Sequence, residues 1–165
     1  MEYQILHWIK HTPIGDAARD TSWLFPACQC IHLSAICLLF VALLAMDLRL
    51  LGFAREIPLK VLNPLAVLAG CAFVVILITG YTMVSAFPEN YWPNWIFKVK
   101  VALILLAVAN AGWFVLGEHR QLTGLGAGAQ VSRRIKILAL ASLTLWTSIL
   151  IVGRLLSFLA THTTD

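Results

Sequence analysis

Residues 23–46 read WLFPACQCIHLSAICLLFVALLAM, and His32 is the one side chain among them that can carry a positive charge. As a helix rising 1.5 Å per residue this stretch covers about 36 Å, enough to cross the roughly 30 Å hydrocarbon core of a bilayer. Three more runs of the same kind follow, at 64–87 (PLAVLAGCAFVVILITGYTMVSAF), 95–116 and 135–159. All four are apolar around most of the helix circumference, which a helix in a water-facing bundle is not. Of the 165 residues, 60% are hydrophobic and 12% are charged, against about 25% charged in a soluble domain. The expected fold is therefore all-α: an integral membrane four-helix bundle over residues 23–165, preceded by a short amphipathic segment over 1–22. This composition excludes a disordered chain, a collagen-like chain and a soluble nucleotide-dependent α/β enzyme. The net charge is +4, but the basic residues stand at the ends of apolar runs. They point to a lipid bilayer as partner, with no nucleic acid.

Local signals bound the spans. Asn63 before Pro64 reads as a helix cap followed by proline at the first helical position, where its missing N–H costs nothing. Ser132 reads as the cap of the last helix, and Pro26 falls in the first turn of the first. The connection PENYWPNW (88–95) is short and aromatic, like a membrane-interface belt, and predicts that spans two and three are antiparallel neighbours. The glycines of LTGLGAGAQ (122–130) lack the strand-to-helix context of a phosphate loop. Residues 1–22 are not a standard signal peptide. Tyr3, Ile5, Leu6, Trp8 and Ile9 suggest a helix lying on the membrane surface, and PIGDAARD (13–20) a further helical turn. Small residues at Ala66, Gly70, Gly80, Ala107, Ala109 and Gly112 are expected at close helix contacts. Seven basic residues (Arg49, Arg55, Lys60, Arg120, Arg133, Arg134, Lys136) flank one side, and five (Lys10, Arg19, Lys98, Lys100, Arg154) lie towards the other. The positive-inside rule puts the seven in the cytoplasm and both termini outside.

An ionisable residue inside a bilayer is a functional hypothesis in itself. His32 lies about 13 Å below the outer end of span one, while Lys100 and Arg154 each lie about 8 Å below theirs. Thr79, Tyr81 and Thr82 come to similar depth from span two, and Gln29 is three residues before His32, on the same face. The expected cofactor-binding set is His32, Lys100, Arg154, Gln29 and Tyr81. The bland readings stand beside it. The two cations can snorkel to the headgroups as anchors, and His32 can be a structural residue bonded to Gln29, Thr79 or Tyr81. The layer is cationic and suits an anionic or carbonyl group, such as haem propionates, a quinone or a lipid phosphate. In the haem reading His32 is the metal ligand. A second axial ligand would come from His7, His11 or Met83, since His119 is at the opposite end, or the haem would be five-coordinate. Cys28, Cys30, Cys37 and Cys71 are expected to be free; Cys28 shares a face with His32, but Cys30 does not, which disfavours a copper site. Asn110 is expected to bond between helices. No span core contains an acidic residue, which argues against a proton pump, and no Ser-His-Asp set, H-E-x-x-H or paired carboxylate suggests a hydrolase.

TP at 12–13, SWLFPACQCIH (22–32), DLRLLG (47–52), Phe97 with Lys100, Asn110, and LW…GR at Leu145, Trp146, Gly153 and Arg154 carry a resemblance over nearly the whole chain. Together these motifs resemble a family of uncharacterised bacterial four-helix membrane proteins, distantly similar to CopD-like copper-resistance proteins. The resemblance implies an acidic residue three positions before the first-span histidine and a second histidine after the third-span asparagine. Here those places hold Gln29 and, in the second region, Val115. The expected function is a membrane subunit, non-catalytic by itself, that binds haem b or a quinone-like molecule in the outer half of the bilayer. The rivals are a structural anchor or accessory subunit of a larger complex, and a metal or small-anion carrier. The expected setting is the bacterial inner membrane, with larger membrane subunits or a second copy as protein partners.

Overall fold

The computed structural model describes residues 7–54, 56–118 and 131–162. Tyr3, Ile5, Leu6, Arg55, His119, Arg120 and the glycine-rich stretch 122–130 lie outside the described residues. Among the described residues four helices are long and apolar enough to cross a membrane: Leu24–Leu51, Leu62–Ala86, Trp95–Gly117 and Arg133–Leu156. They form the expected all-α bundle and run up and down.

The ends of these helices follow local chemistry. The first span extends five residues beyond the hydrophobic run and stops at Gly52, whose φ of 109° lets its N–H reach the carbonyls of Leu48 and Arg49. A left-handed glycine of this kind is a common helix stop. DLRL therefore continues the helix instead of opening a loop, and carries Asp47 and Arg49 into it. The second span starts at Leu62 after a 3-10 turn over Leu59–Val61, so Asn63 is not its cap, although Pro64 stays in the first turn. Asn94 caps the third span by accepting from the Ile96 N–H at 2.9 Å. Ser132 caps the fourth as expected, accepting from the Ile135 N–H at 3.4 Å.

The packing departs from the expected neighbour order. The first span lies most extensively against the second, the third against the fourth, and the first also against the fourth. The second and third spans scarcely touch. Their connection contains its own short helix, Pro88–Tyr91, which carries the chain sideways instead of folding it straight back. Two apolar clusters hold the bundle. Leu39, Ala42, Ala69 and Ala72 fill the middle, with Phe73 meeting Trp146 edge-on at 6.1 Å. Leu50, Leu59, Leu62, Val131, Ile135 and Ala139 close the end remote from the termini. Of the small residues expected at contacts, Ala107 is buried and Gly80 lies against His32. Gly70 and Gly112 face open space, and Ala109 is exposed. Lipid is the natural cover for such positions.

The N-terminal segment is tied to the bundle. Thr12 caps a helix over Pro13–Asp20, which docks on the end of the second span. Arg19 donates to the carbonyls of Ser85 (3.3 Å) and Ala86 (3.1 Å), and to that of Lys10 (2.7 Å). It also pairs with Asp16. Lys10 meets Glu89 at 2.7 Å. Gly15 makes this approach feasible, because a Cβ there would lie 2.7 Å from the Lys10 carbonyl oxygen and 2.8 Å from that of Ser85. Trp8 and Ile14 are exposed on this segment.

Candidate functional site

The best-defined polar contact between two spans is made by His32. Its Nδ1 lies 2.7 Å from the hydroxyl of Thr79. Thr79 has one hydroxyl proton, and the carbonyl of Val75 stands 2.7 Å away to receive it. The hydroxyl oxygen therefore accepts from His32, which assigns the proton to Nδ1 from the network. Nε2 is then the acceptor end of the ring. Gly80 provides the space beside the imidazole: a methyl there would be 3.3 Å from Cε1.

Lys100 reaches the same half of the bundle from the third span. It is half-buried and crosses Gly153 of the fourth span, where a Cβ would lie 3.5 Å from its Nζ. It is close enough to act electrostatically on His32, and it has no ion-pair partner among the described residues. Two glycines on facing spans thus make room for the two ionisable side chains. The rest of the expected set lies differently. Gln29 and Arg154 are exposed, as is Tyr81 at 46%. Tyr81 and Arg154 each follow one of these glycines by one residue, and a step of one residue turns a helical side chain by about 100°. That rotation takes both away from the direction Gly80 and Gly153 present to His32 and Lys100.

A second polar group lies towards the end remote from the termini. Asp47 is 5% exposed, and its Oδ2 is buried without a hydrogen-bond partner. Ser142 of the fourth span, itself buried, is the hydroxyl that interacts with it. Asn110 donates to the Leu138 carbonyl at 3.2 Å, joining spans three and four as expected. Asp47 lies past the span core read from the sequence, yet the helix continues through it and buries it. It follows directly on the apolar run, where a charge pair with Arg49 reads as the start of a loop. The signal that could have found it is Gly52, which marks the true helix stop.

The four cysteines are free, with Cys30, Cys37 and Cys71 exposed and Cys28 half-buried. Among the described residues no three His, Cys, Asp or Glu side chains converge. His7 and His11 lie against one another with ring centres 4.4 Å apart and planes tilted by 48°. Outside the spans, burial alone would raise the Glu89 carboxyl. The hydrogen bond from Lys10 and the charges of Lys10 and Arg19 outweigh it and hold the group below its ordinary value. Burial raises the Tyr91 phenol.

A family of unknown function, DUF6644, matches residues 6–159. The chain belongs to this family. The match takes in the N-terminal helix, all four spans, and the residues of both polar groups. No curated protein and no solved structure matches the chain.

Proposed function

We propose that this DUF6644 member is a membrane-embedded accessory subunit, non-catalytic by itself, in which the intramembrane polar residues hold helices together. The observation that carries this reading is the His32–Thr79 hydrogen bond at 2.7 Å. The one imidazole within the spans spends its N–H on a neighbouring span, where an unmade bond would cost about 1–3 kcal/mol. In this reading the chain packs in the bilayer against larger membrane subunits or a second copy. It lies in a bacterial inner membrane, with both termini periplasmic, as the basic residues at Arg49, Lys60, Arg133, Arg134 and Lys136 favour. Within it, residues 1–22 form an interfacial segment and residues 23–165 the membrane domain.

Lys100 favours a second reading, a site for a quinone-like head group. It brings an ammonium with no ion-pair partner among the described residues into the half of the bundle where His32 presents an accepting ring nitrogen. Lys100 would donate to a carbonyl and Nε2 would accept from a hydroxyl, with Gln29, Tyr81 and Arg154 around the mouth. Haem b fits less well, since His32 is the only histidine on the described spans and His7 and His11 are engaged with each other. In that case His32 would be the metal ligand through Nε2, with Thr79 fixing the ring from behind. A small-anion carrier has Lys100 alone to support it, and a metal carrier, despite the distant CopD-like resemblance, has no converging ligands among the described residues.

Visible absorption and extracted-quinone content of the detergent-purified protein, wild type and His32→Ala, separate these readings. The accessory reading expects no Soret band, no stoichiometric quinone and a loss of thermal stability in the variant. A Soret band or bound quinone that disappears in a folded His32→Ala protein would replace it with the cofactor reading.

A further inference from the structure

We infer that Asp47 and Ser142 form an exchangeable proton site between the first and fourth spans. Asp47 lies one turn before the first span ends at Leu51. It is 5% exposed, and one carboxyl oxygen is enclosed with no donor. An ionised carboxylate has only acceptors and needs them filled; a carboxylic acid supplies a proton of its own. Leaving a bare carboxylate oxygen enclosed is unfavourable, and a proton is the simplest remedy. The helix C-terminus acts in the same direction, because its exposed carbonyls make it the negative end of the macrodipole and disfavour an anion in the last turn.

Among the described residues no cation takes the place of the proton. Among the described residues at this end, Arg49, Lys60, Arg133, Arg134 and Lys136 are the basic ones, and none stands within ion-pair distance of Asp47. Arg49 donates from Nε to the Ile57 carbonyl at 2.7 Å. From the fourth span Asp47 meets the neutral Ser142. Glu56 is exposed, and the described part of spans two and three brings no charged side chain to this end. A metal cation fits poorly, since one carboxyl and one hydroxyl fall well short of the six or more oxygens a hard cation gathers. The helix ends four residues away, so the apolar cover on this side, Leu50 with Ile135 and Ala139, is only about one turn deep. Towards the other side the route is closed by Leu39, Ala42, Ala69 and Ala72. The site therefore exchanges with the side remote from the termini and is not half of a continuous path.

Infrared spectroscopy of the full chain in lipid nanodiscs reads the acid directly, because a protonated carboxyl has a carbonyl band separate from that of a carboxylate. The expected result at neutral pH is one such band that moves down in D2O, vanishes in Asp47→Asn and shifts in Ser142→Ala. Should Asp47→Asn fail to fold, the Ser142→Ala shift alone assigns the band. Absence of the band near neutral pH, a band that neither variant alters, or one that D2O leaves in place overturns the proposal.

Discussion

The two halves of the bundle treat ionisable groups in opposite ways. Towards the termini, His32 and Lys100 make a cationic region in which the imidazole has a firm partner and the ammonium lies over a glycine. Towards the other end, Asp47 is an acid with one oxygen unmet. Fifteen residues, about 22 Å of helix, separate His32 from Asp47, and the apolar layer around Phe73 and Trp146 lies between them. Opposite charges in one small membrane protein would ordinarily be expected to pair. Here each is managed where it stands, the cation by neighbouring space and the acid by a proton. The comparison teaches that a polar residue in a span can serve the fold in one half and hold an exchangeable group in the other.

The largest effect that would break this contrast is expected at the clasp that closes the termini half. Gly15→Val forces a branched side chain against the Lys10 and Ser85 carbonyls, at 2.7 and 2.8 Å from its first carbon. Both obstacles are backbone, so the N-terminal helix should undock, at about 1–3 kcal/mol or more for such overpacking. Limited proteolysis should then cut near residue 12, while the four spans stay folded. Cleavage as slow as in the wild type would show that the helix accommodates the side chain.

Next in size is Asp47→Ala against Asp47→Asn. The alanine variant should lose about 1–3 kcal/mol from the lost contact and the void. The asparagine variant should be within about 1 kcal/mol of wild type near neutral pH, because one neutral group replaces another of the same shape. Thermal unfolding in detergent measures both. An asparagine variant as unstable as the alanine one would mean that the charge itself is needed.

The smallest effect sharpens the clasp. Glu89 is held below its ordinary value by Lys10 and Arg19. A depressed carboxyl stabilises the state in which it is ionised, so docking is at full strength near neutral pH. It weakens as pH falls below the ordinary carboxylate value of about 4.3 and on through Glu89's lower titration. High salt should also weaken it, since this pair is exposed. Tryptophan fluorescence from Trp8 should follow the change; a signal constant from neutral pH down to acid would detach Glu89 from the docking.

The fold was largely legible because bilayer length and hydrophobicity are one-dimensional properties. WLFPACQCIHLSAICLLFVALLAM could be read as a span without knowing its neighbours. Neighbour order was not legible, since a short connection such as PENYWPNW implies adjacency, yet the helix at Pro88–Tyr91 redirects it. At the site, His32 and Lys100 were legible from depth alone. Depth does not give rotation, so Tyr81 and Arg154 entered the same layer although their helix positions turn them outward. Asp47 stayed hidden because DLR after an apolar run looks like a boundary, while Gly52 places the helix end one turn later.

Whether His32 serves the bundle through Thr79 is decided by a double-mutant cycle. Thermal stability in nanodiscs would be measured for wild type, His32→Ala, Thr79→Val and the double variant. The account predicts a coupling of about 1 kcal/mol between the two positions, as for a direct hydrogen bond. Strictly additive losses, with no coupling at all, would contradict it.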